Sequence, residues 1–287
     1  MTLPTPKQFL DRYTDLFFFS PTLGIYDMTH ITSYGSGWGH DASANRPTGY
    51  LSQQEYNGPF KRALRFALDP ARHGDYGSVF RFGDASPLRD TFRGEPFYRN
   101  GVIRAFLGKG SPDEIADLIR LAIAIGRIGT SSDAAGGRPA HAALRDYVRT
   151  FVSLDCNGLS GNYYGINPET SIEAYARPGR RRRDPHEVRT GDCLVTVTPA
   201  GRYKHIALID AFTPGAGRSA QMSIAEWGQA GDEDKHYSTF TRDIVQGPNA
   251  QFGLGFRSGE NFRYIFAPPA NAQSDPRGYG LDGDETR

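Results

Sequence analysis

A strand–turn–strand pattern runs through Gly191-Asp192-Cys193-Leu194-Val195-Thr196-Val197-Thr198, Pro199-Ala200-Gly201-Arg202-Tyr203-Lys204 and His205-Ile206-Ala207-Leu208-Ile209. Apolar and β-branched residues on both sides of a Pro/Gly segment predict two strands joined by a hairpin. The predicted strands of this half of the chain are residues 193–198, 205–212, 220–227 and 261–266. The second half of the protein is therefore expected to consist mainly of short strands separated by turns.

Helices are predicted upstream of this region. The clearest start is Ser111-Pro112-Asp113-Glu114, where serine at the N-cap, proline at the first helical position and glutamate at the third form a capping box. A second helix is predicted over residues 139–151 and leads the chain to Cys156. Helical spacing of apolar residues also predicts helices over residues 7–19 and 60–68. The fold class is therefore α+β.

Three segments are predicted from these patterns. Residues 1–110 form an extension of irregular and helical structure, because residues 22–99 show no sustained periodicity. Residues 111–267 form the folded domain. Residues 268–287 are rich in Pro, Gly and Asp and are expected to be a disordered tail.

Composition narrows the possible functions. The 33 Lys and Arg residues balance 32 Asp and Glu residues, so no overall field favours nucleic acid. The arginine run at residues 180–183 is interpreted as a solvated loop. No Sec signal is expected at the start, and the longest apolar segment, residues 115–128, is interrupted by Arg120 and Arg127, so membrane insertion is not expected.

The chain has two cysteines, too few for a secreted disulfide scaffold. The sequence still allows a single disulfide between Cys156 and Cys193. Cys156 precedes a short predicted helix. Unpaired backbone N–H groups at a helix start stabilise a thiolate and can receive an oxyanion. Gly158 and Gly161 are expected to let this helix pack closely on the sheet. The alternative is that Cys156 is an ordinary buried small residue.

His205 is expected to be the first residue of an apolar strand, which puts its imidazole at the sheet end, half-exposed and facing the cysteine-bearing helix. A polar cap on a strand is the alternative interpretation. Glu226 on the next strand can hold the imidazole in one tautomer and support its cationic form. Gln229 is a weaker candidate for this role, and Glu226 as a surface charge is the alternative.

Three short segments carry a resemblance: Asp155-Cys156-Asn157-Gly158-Leu159, Gly191-Asp192-x-Leu194-Val195 and His205-Ile206-Ala207-Leu208-Ile209. They resemble the NlpC-type cell-wall cysteine peptidases and the related CHAP amidases. Pro168-Glu169-Thr170-Ser171 is similar to a stretch of the NlpC group, and Ser223 to Trp227 is similar to the CHAP pattern. The resemblance covers residues 139–266, with Asn157 where serine is usual and Cys193 inside the Gly-Asp strand.

The resemblance implies a papain-like fold, in which a nucleophile helix packs on an antiparallel sheet. It implies Cys156 as nucleophile, His205 as general base and Glu226 as the orienting residue. It further implies cleavage of an amide bond in peptidoglycan or a related peptide through an acyl-enzyme, without cofactor or metal. The candidate substrate-binding residues are Asp155, Asn157, Trp227 and Trp38.

Two other functions stay open. One is a papain-like acyltransferase or deamidase that acts on proteins through the same residues. The other is a binding protein on the same fold with an inert cysteine. A cell-wall enzyme synthesised in the cytoplasm without a Sec signal would need a non-Sec export route, and any delivery or immunity partner is unspecified.

A second conspicuous segment, residues 34–41, contains three glycines, Trp38, His40 and Asp41. Its spacing does not match a dinucleotide loop, and a metal site with Asp27 and His30 is not favoured. A surface loop or a cleft wall carrying Trp38 is expected instead. The histidines expected to face solvent are His73, His141, His186 and His236.

Overall fold

A computed structural model of the chain describes residues 4–20, 25–29, 31, 33–34, 89–92, 95–98, 104–105, 108–124, 144–145, 148, 152–168, 170–228, 236–248 and 253–272. The chain divides into two compact units. The C-terminal unit comprises Met1–Leu10 and Cys156–Tyr279, and the N-terminal unit comprises Asp11–Asp155 and Gly280–Arg287. The predicted helix at residues 60–68, most of the predicted tail and Trp38 lie outside the described residues. The three predicted segments stay a prediction.

The described residues of the N-terminal unit form short strands and one longer helix. Its elements are α1 (Pro6–Thr14, which includes the boundary between the units), β1 (Leu16–Ser20), β2 (Ile25–Thr29), β3 (Ser33–Tyr34), β4 (Arg89–Phe92), β5 (Glu95–Tyr98), α2 (Pro112–Ala124) and β6 (Ser153–Leu154). The pairs β1–β2 and β4–β5 are antiparallel, and the pair β3–β6 is parallel.

The capping box predicted for α2 is confirmed. The Ser111 N–H donates to Glu114 Oε2 at 2.9 Å, and the Glu114 N–H donates to Ser111 Oγ at 3.3 Å. The buried Glu114 carboxylate also accepts a hydrogen bond from Nε of Arg104 at 3.2 Å. The helix start is therefore held by its own sequence and by a buried ion pair.

The predicted helix over residues 7–19 is correct only in its first part. Helix α1 ends at Thr14, and β1 begins at Leu16. Aromatic residues favour strands, and β1 contains three consecutive phenylalanines. The antiparallel partner β2 satisfies their backbone groups, with Phe17 opposite Met28, so strand pairing overrides the helical spacing.

The predicted helix over residues 139–151 is described at three positions only. Leu144, Arg145 and Val148 are helical, and Leu144 and Val148 are buried as their spacing predicts. The Val152 N–H donates to the Val148 carbonyl at 2.9 Å.

The C-terminal unit is built on one antiparallel sheet of seven strands. Its elements are α3 (Cys156–Tyr164), α4 (Ile172–Tyr175), two 3-10 turns (Pro178–Arg180 and Pro185–Glu187), β7 (Cys193–Val197), β8 (Tyr203–Pro214), β9 (Ser219–Ala225), β10 (Tyr237–Asp243), β11 (Val245–Gln246), β12 (Leu254–Ser258) and β13 (Asn261–Phe266). The strand order is β10-β9-β8-β7-β13-β12-β11, with antiparallel neighbours throughout. The predicted α+β class is confirmed.

All four predicted strands are present. Strand β13 has the predicted bounds, while β8 begins at Tyr203, so His205 is its third residue rather than its first. The predicted hairpin joins β7 to β8, and Gly201 adopts a φ of +76° within its turn. An L-residue with a side chain rarely adopts this conformation, which explains the glycine.

Three strands of this sheet, β10, β11 and β12, were not predicted from the sequence. Strand β10 lies at one edge of the sheet and carries mostly polar side chains. Phe240 alone among its apolar residues packs against the apolar cluster on the sheet, which includes Met222, Ile224 and Phe256. A strand exposed on most of its surface lacks the apolar run that identifies central strands.

The arginine run is not a free solvated loop. The Arg182 N–H donates to the Ile265 carbonyl at 3.0 Å, and Arg181 forms a bridge with Phe266. The Arg182 guanidinium makes two hydrogen bonds to Asp192, at 2.8 and 2.6 Å. Asp192 is fully buried and needs a cation, which explains why this segment docks on the sheet.

None of the helices in the described part of the chain is long and apolar enough to cross a membrane.

Candidate active site

Cys156 is the first residue of α3, and it is 1% exposed. The backbone N–H groups in the first turn of a helix have no partner within the helix. The first turn of α3 has no acidic residue and its last turn has no basic residue, so no side chain of these turns compensates the helix dipole. The sulfur therefore lies at a helix start whose partial positive charge is not offset by an acidic side chain of that turn.

The position of α3 is fixed by close contacts at Gly161. A Cβ atom added there would lie 2.4 Å from Pro168 Cα. The nearest neighbour of this glycine is therefore the backbone that follows the helix, and its role in packing against the sheet stays a prediction. At the C-terminal end of α3, the Tyr164 hydroxyl donates to the Gly191 carbonyl at 2.7 Å and ties the helix to the start of β7.

His205 lies near the start of β8, opposite Thr196 of β7. A bulge follows between Thr196 and Val197, and bulges increase the local twist of a strand. The side chain of His205 is 17% exposed. The imidazole therefore lies near a sheet end, as the sequence predicts, but it is more buried than the half-exposed position that was expected.

Glu226 follows the last residue of β9 directly. The pairing of Ala225 with Leu208 brings the end of β9 beside the first half of β8. His205 Nε2 lies 2.9 Å from Glu226 Oε2, within hydrogen-bonding distance. Since Nε2 faces the carboxylate, Nδ1 is the ring nitrogen available to the sulfur.

Cys156 and Glu226 together control the pKa of His205. Burial lowers this pKa, but the charge of Cys156, a hydrogen bond with Cys156 and the hydrogen bond and charge of Glu226 raise it to about 9. The effect of Cys156 on this pKa indicates that the sulfur lies near the imidazole, although 49 positions separate the two residues in the chain (205 minus 156). An adjacent imidazole is a common means of activating a thiol.

Arg263 is a residue of the site that the sequence analysis missed. Its Nη2 donates to Glu226 Oε2 at 2.6 Å, the same oxygen that contacts His205. Arg263 pairs with Thr196, which pairs with His205 on its other side, so the three side chains share one face of the sheet. The available signal was a charged residue between Phe262 and Tyr264 in a short strand.

Arg263 and His205 keep Glu226 ionised. Burial raises the pKa of Glu226, but the hydrogen bond from His205 and the charges of Arg263 and His205 outweigh this effect and lower the pKa to about 2. The carboxylate is therefore negative throughout the pH range in which the imidazole titrates, around pH 9. An ionised carboxylate is what the support of an imidazolium requires.

Gly228 is a second residue that the sequence analysis missed. A Cβ atom added at Gly228 would lie 3.3 Å from Cε1 and 3.6 Å from Nε2 of His205. The glycine thus leaves room for the imidazole in contact with Glu226. Its signal in the sequence was a glycine two positions after the candidate glutamate.

The candidate substrate-binding residues are placed differently from one another. Asp155 belongs to the N-terminal unit, where its carboxylate pairs with Lys109. Asn157 is buried, and its Oδ1 has no hydrogen-bond partner among the described residues. Trp227 is completely buried, and Trp38 lies outside the described residues. Contact of these residues with a substrate stays a prediction.

His236 does not face solvent as expected. It is buried, and its ring stacks on the Trp227 indole with centroids 3.7 Å apart and an angle of 8° between the planes. Stacking on an aromatic ring stabilises an imidazole away from water and explains the difference. His186 is exposed as predicted, and His73 and His141 lie outside the described residues.

Both cysteines are free thiols, which answers the question that the sequence left open. Cys193 is completely buried, and its sulfur donates to the Phe266 carbonyl at 3.5 Å. Burial, and secondly the charge of Asp192, raise the pKa of Cys193 to about 12. This thiol stays protonated and is held by carbonyl oxygens.

Within the described ranges, no group of three or more His, Cys, Asp or Glu side chains is placed to hold a metal ion. Comparisons of the chain with protein-family models, with curated proteins and with solved structures find no match.

Proposed function

We propose that this protein is a cysteine hydrolase that cleaves an amide bond, with Cys156 as nucleophile, His205 as general base and acid, and Glu226 as the orienting residue. One observation carries the proposal. The imidazole of His205 interacts with Cys156 and with Glu226, and its pKa is raised to about 9. A protonated imidazole at neutral pH is the partner that a thiolate needs and the acid that a leaving amine needs.

The proposed reaction has two steps. The Cys156 thiolate attacks the carbonyl carbon, the C–N bond breaks, and the imidazolium of His205 gives its proton to the leaving amine. Water then attacks the thioester while His205 accepts its proton, which releases a carboxylic acid and the thiolate. The Cys156 N–H at the start of α3 is the proposed donor to the oxyanion in both steps.

Arg263 is the proposed positioning residue. It donates to the same carboxylate oxygen that contacts His205, so it restrains Glu226 and balances part of its charge. An unrestrained carboxylate would leave the imidazole free to turn away from the sulfur. The proposed site is therefore a row of four residues: Cys156, His205, Glu226 and Arg263.

The proposed substrate is peptidoglycan, and the proposed fold is papain-like. The resemblance to NlpC-type peptidases and CHAP amidases supports both, and a helix bearing a buried cysteine beside an antiparallel sheet supports the fold alone. Within peptidoglycan, the bond would be a peptide crosslink or the bond that joins the stem peptide to the glycan.

Mass spectrometry of muropeptides released from purified sacculi tests the proposal. The wild type should release new fragments, each with one additional water across an amide bond. Cys156→Ala should release none, while the matched control Cys193→Ala should act like the wild type. Release by Cys156→Ala at the wild-type rate would refute the proposal.

The same assay separates a hydrolase from the acyltransferase alternative. With an added primary amine, an acyltransferase should give amide products in place of the free carboxylic acid. A hydrolase should give the acid whether or not the amine is present.

A further inference from the structure

Glu226 lies just beyond the regular part of the sheet. The ladder between β9 and β10 ends with Ala225 opposite Tyr237, one residue before the glutamate. A single backbone hydrogen bond extends this pairing, because the Glu226 N–H donates to the His236 carbonyl at 2.9 Å. The His236 backbone therefore holds the Glu226 backbone at the point where the ladder ends.

His236 is itself held through its ring. Its imidazole stacks on the indole of Trp227, with centroids 3.7 Å apart and planes only 8° from parallel. Both side chains are buried. Two flat rings that are packed together in a dense interior cannot turn without opening a void, so they restrain the backbones that carry them. The Trp227–His236 stack thus fixes the residue that follows Glu226 and the residue opposite it.

Trp227 also stands between two residues that lie beside the imidazole of His205. Glu226 precedes it, and its Oε2 lies 2.9 Å from His205 Nε2. Gly228 follows it, and a Cβ atom added there would lie 3.3 Å from Cε1 of the same ring. The Trp227–His236 stack therefore anchors the middle of a three-residue segment that reaches His205 at both of its ends.

Strand β10 is joined to the sheet by other bonds as well. The hydroxyls of Ser223 and Thr239 lie 2.8 Å apart, and the Tyr237 hydroxyl donates to Asp210 Oδ2 at 2.8 Å. These bonds and the β9–β10 ladder do not involve the ring of His236. Loss of that ring should therefore loosen the segment after β9 and leave β10 in place.

Glu226 is thus restrained in two ways. Arg263 donates to its Oε2 at 2.6 Å and restrains the carboxylate. His236 restrains the backbone from which the carboxylate extends. Both restraints matter for the contact with His205, because a displacement of about 1 Å in an active site can lower a rate on the order of a hundredfold.

We infer that the Trp227–His236 stack positions Glu226 against the imidazole of His205, which makes Trp227 and His236 positioning residues of the site. The inference rests on the proposed function. The stack acts through the flat shape of the ring at position 236 and not through its charge. His236 therefore exchanges no proton during the reaction, in contrast to His205.

An NMR titration of the His205 imidazole in variants of the full chain tests the inference. The wild type should titrate near pH 9. His236→Ala should titrate about one pH unit lower, a tenfold change in proton affinity, because Glu226 no longer keeps its position. His236→Phe should restore the wild-type titration, since phenylalanine can stack on Trp227. His186→Ala removes an exposed histidine and, as the matched control, should titrate like the wild type.

The rate of sacculus cleavage is measured in the same proteins. His236→Ala should be about tenfold slower than the wild type, within the loss that misplacement of a catalytic group causes, and His236→Phe should be close to the wild type. A wild type that cleaves no sacculi would refute the proposed substrate, whereas the titration of His205 would still decide whether the stack positions Glu226.

Thermal unfolding shows which variants fold. If His236→Ala does not fold, His236→Leu takes its place, because leucine fills a similar volume without a flat ring. An unchanged His205 titration in the folded Ala or Leu variant would overturn the inference. So would a His236→Phe protein that does not restore the wild-type titration. Failure of both the Ala and the Leu variant to fold would also overturn it, since the stack would then serve the core and not the position of Glu226.

Discussion

The two thiols of the C-terminal unit have opposite surroundings although both are buried. Cys156 begins α3 and interacts with the imidazole of His205, whereas Cys193 begins β7 and donates to the Phe266 carbonyl. The pKa of Cys193 is raised to about 12 by burial, so this thiol is inert. The comparison teaches that burial alone suppresses thiol chemistry, and that a basic partner is what distinguishes a candidate nucleophile.

The same contrast applies to the neighbouring charges. Asp192, beside Cys193, is bound to Arg182 and raises the pKa of the thiol. Glu226 instead acts on His205, where its negative charge favours the protonated imidazole. The Asp192 carboxylate therefore opposes ionisation of the neighbouring thiol, while the Glu226 carboxylate supports the protonated form of the imidazole.

Alkylation should show the largest difference between the two regions. Iodoacetamide at neutral pH is expected to label Cys156 at least about a thousandfold faster than Cys193, which reacts only when the protein unfolds. Peptide mapping of labelled protein against time measures both rates. Equally slow labelling of the two cysteines would support the inert binding protein instead.

Removing the charge of Glu226 should have the next largest effect. Glu226→Gln is expected to lower the cleavage rate about a hundredfold, within the range of general acid–base catalysis. The alkaline limit of the rate should also move from about pH 9 toward 6.5, the ordinary pKa of histidine.

The control is Glu260→Gln, an exposed glutamate in the turn between β12 and β13. It should leave both the rate and the pH profile unchanged. An unchanged alkaline limit in Glu226→Gln would show that Glu226 does not control the pKa of His205 during catalysis.

Acid stability should show the smallest of these effects. The pKa of Glu226 is lowered from 4.5 to about 2, so its ionised form stabilises the fold above pH 4.5, and this stabilisation is lost as the pH falls through about 2. The difference in free energy of unfolding between wild type and Glu226→Gln should therefore shrink over this interval, from about 3 kcal/mol at most.

Arg263→Met tests the source of that stabilisation. When both proteins carry Arg263→Met, the difference in free energy of unfolding between Glu226 and Glu226→Gln at pH 7 should be smaller, because the charge and hydrogen bond of Arg263 help to lower the pKa of Glu226. Arg257→Met, an exposed arginine of β12, is the matched control and should not reduce it. Urea unfolding at several pH values measures each difference. A constant difference from pH 7 to pH 2 would contradict this account.

The sequence was sufficient for features that depend on neighbours in the chain. The capping box of α2, the hairpin at Gly201 and the apolar strands β7 and β13 follow from local spacing. The proximity of Cys156, His205 and Glu226 could be predicted because Cys156 was expected at a helix start and the other two residues on neighbouring strands.

The rest depends on contacts between distant residues. Arg263 reaches Glu226 only because β13 lies beside β7, a pairing that no local pattern specifies. Strand β1 replaces the end of a predicted helix because β2 is available to pair with it. His236 is buried because it meets Trp227, and its polar sequence context gave no sign of that contact.

The most direct test of the account is an NMR titration of the His205 imidazole in the wild type, Cys156→Ala and Cys193→Ala. The imidazole should titrate near pH 9 in the wild type and in Cys193→Ala, and at a clearly lower pH in Cys156→Ala, because only Cys156 interacts with it. Titration near pH 6.5 in all three proteins would show that the sulfur and the imidazole do not meet.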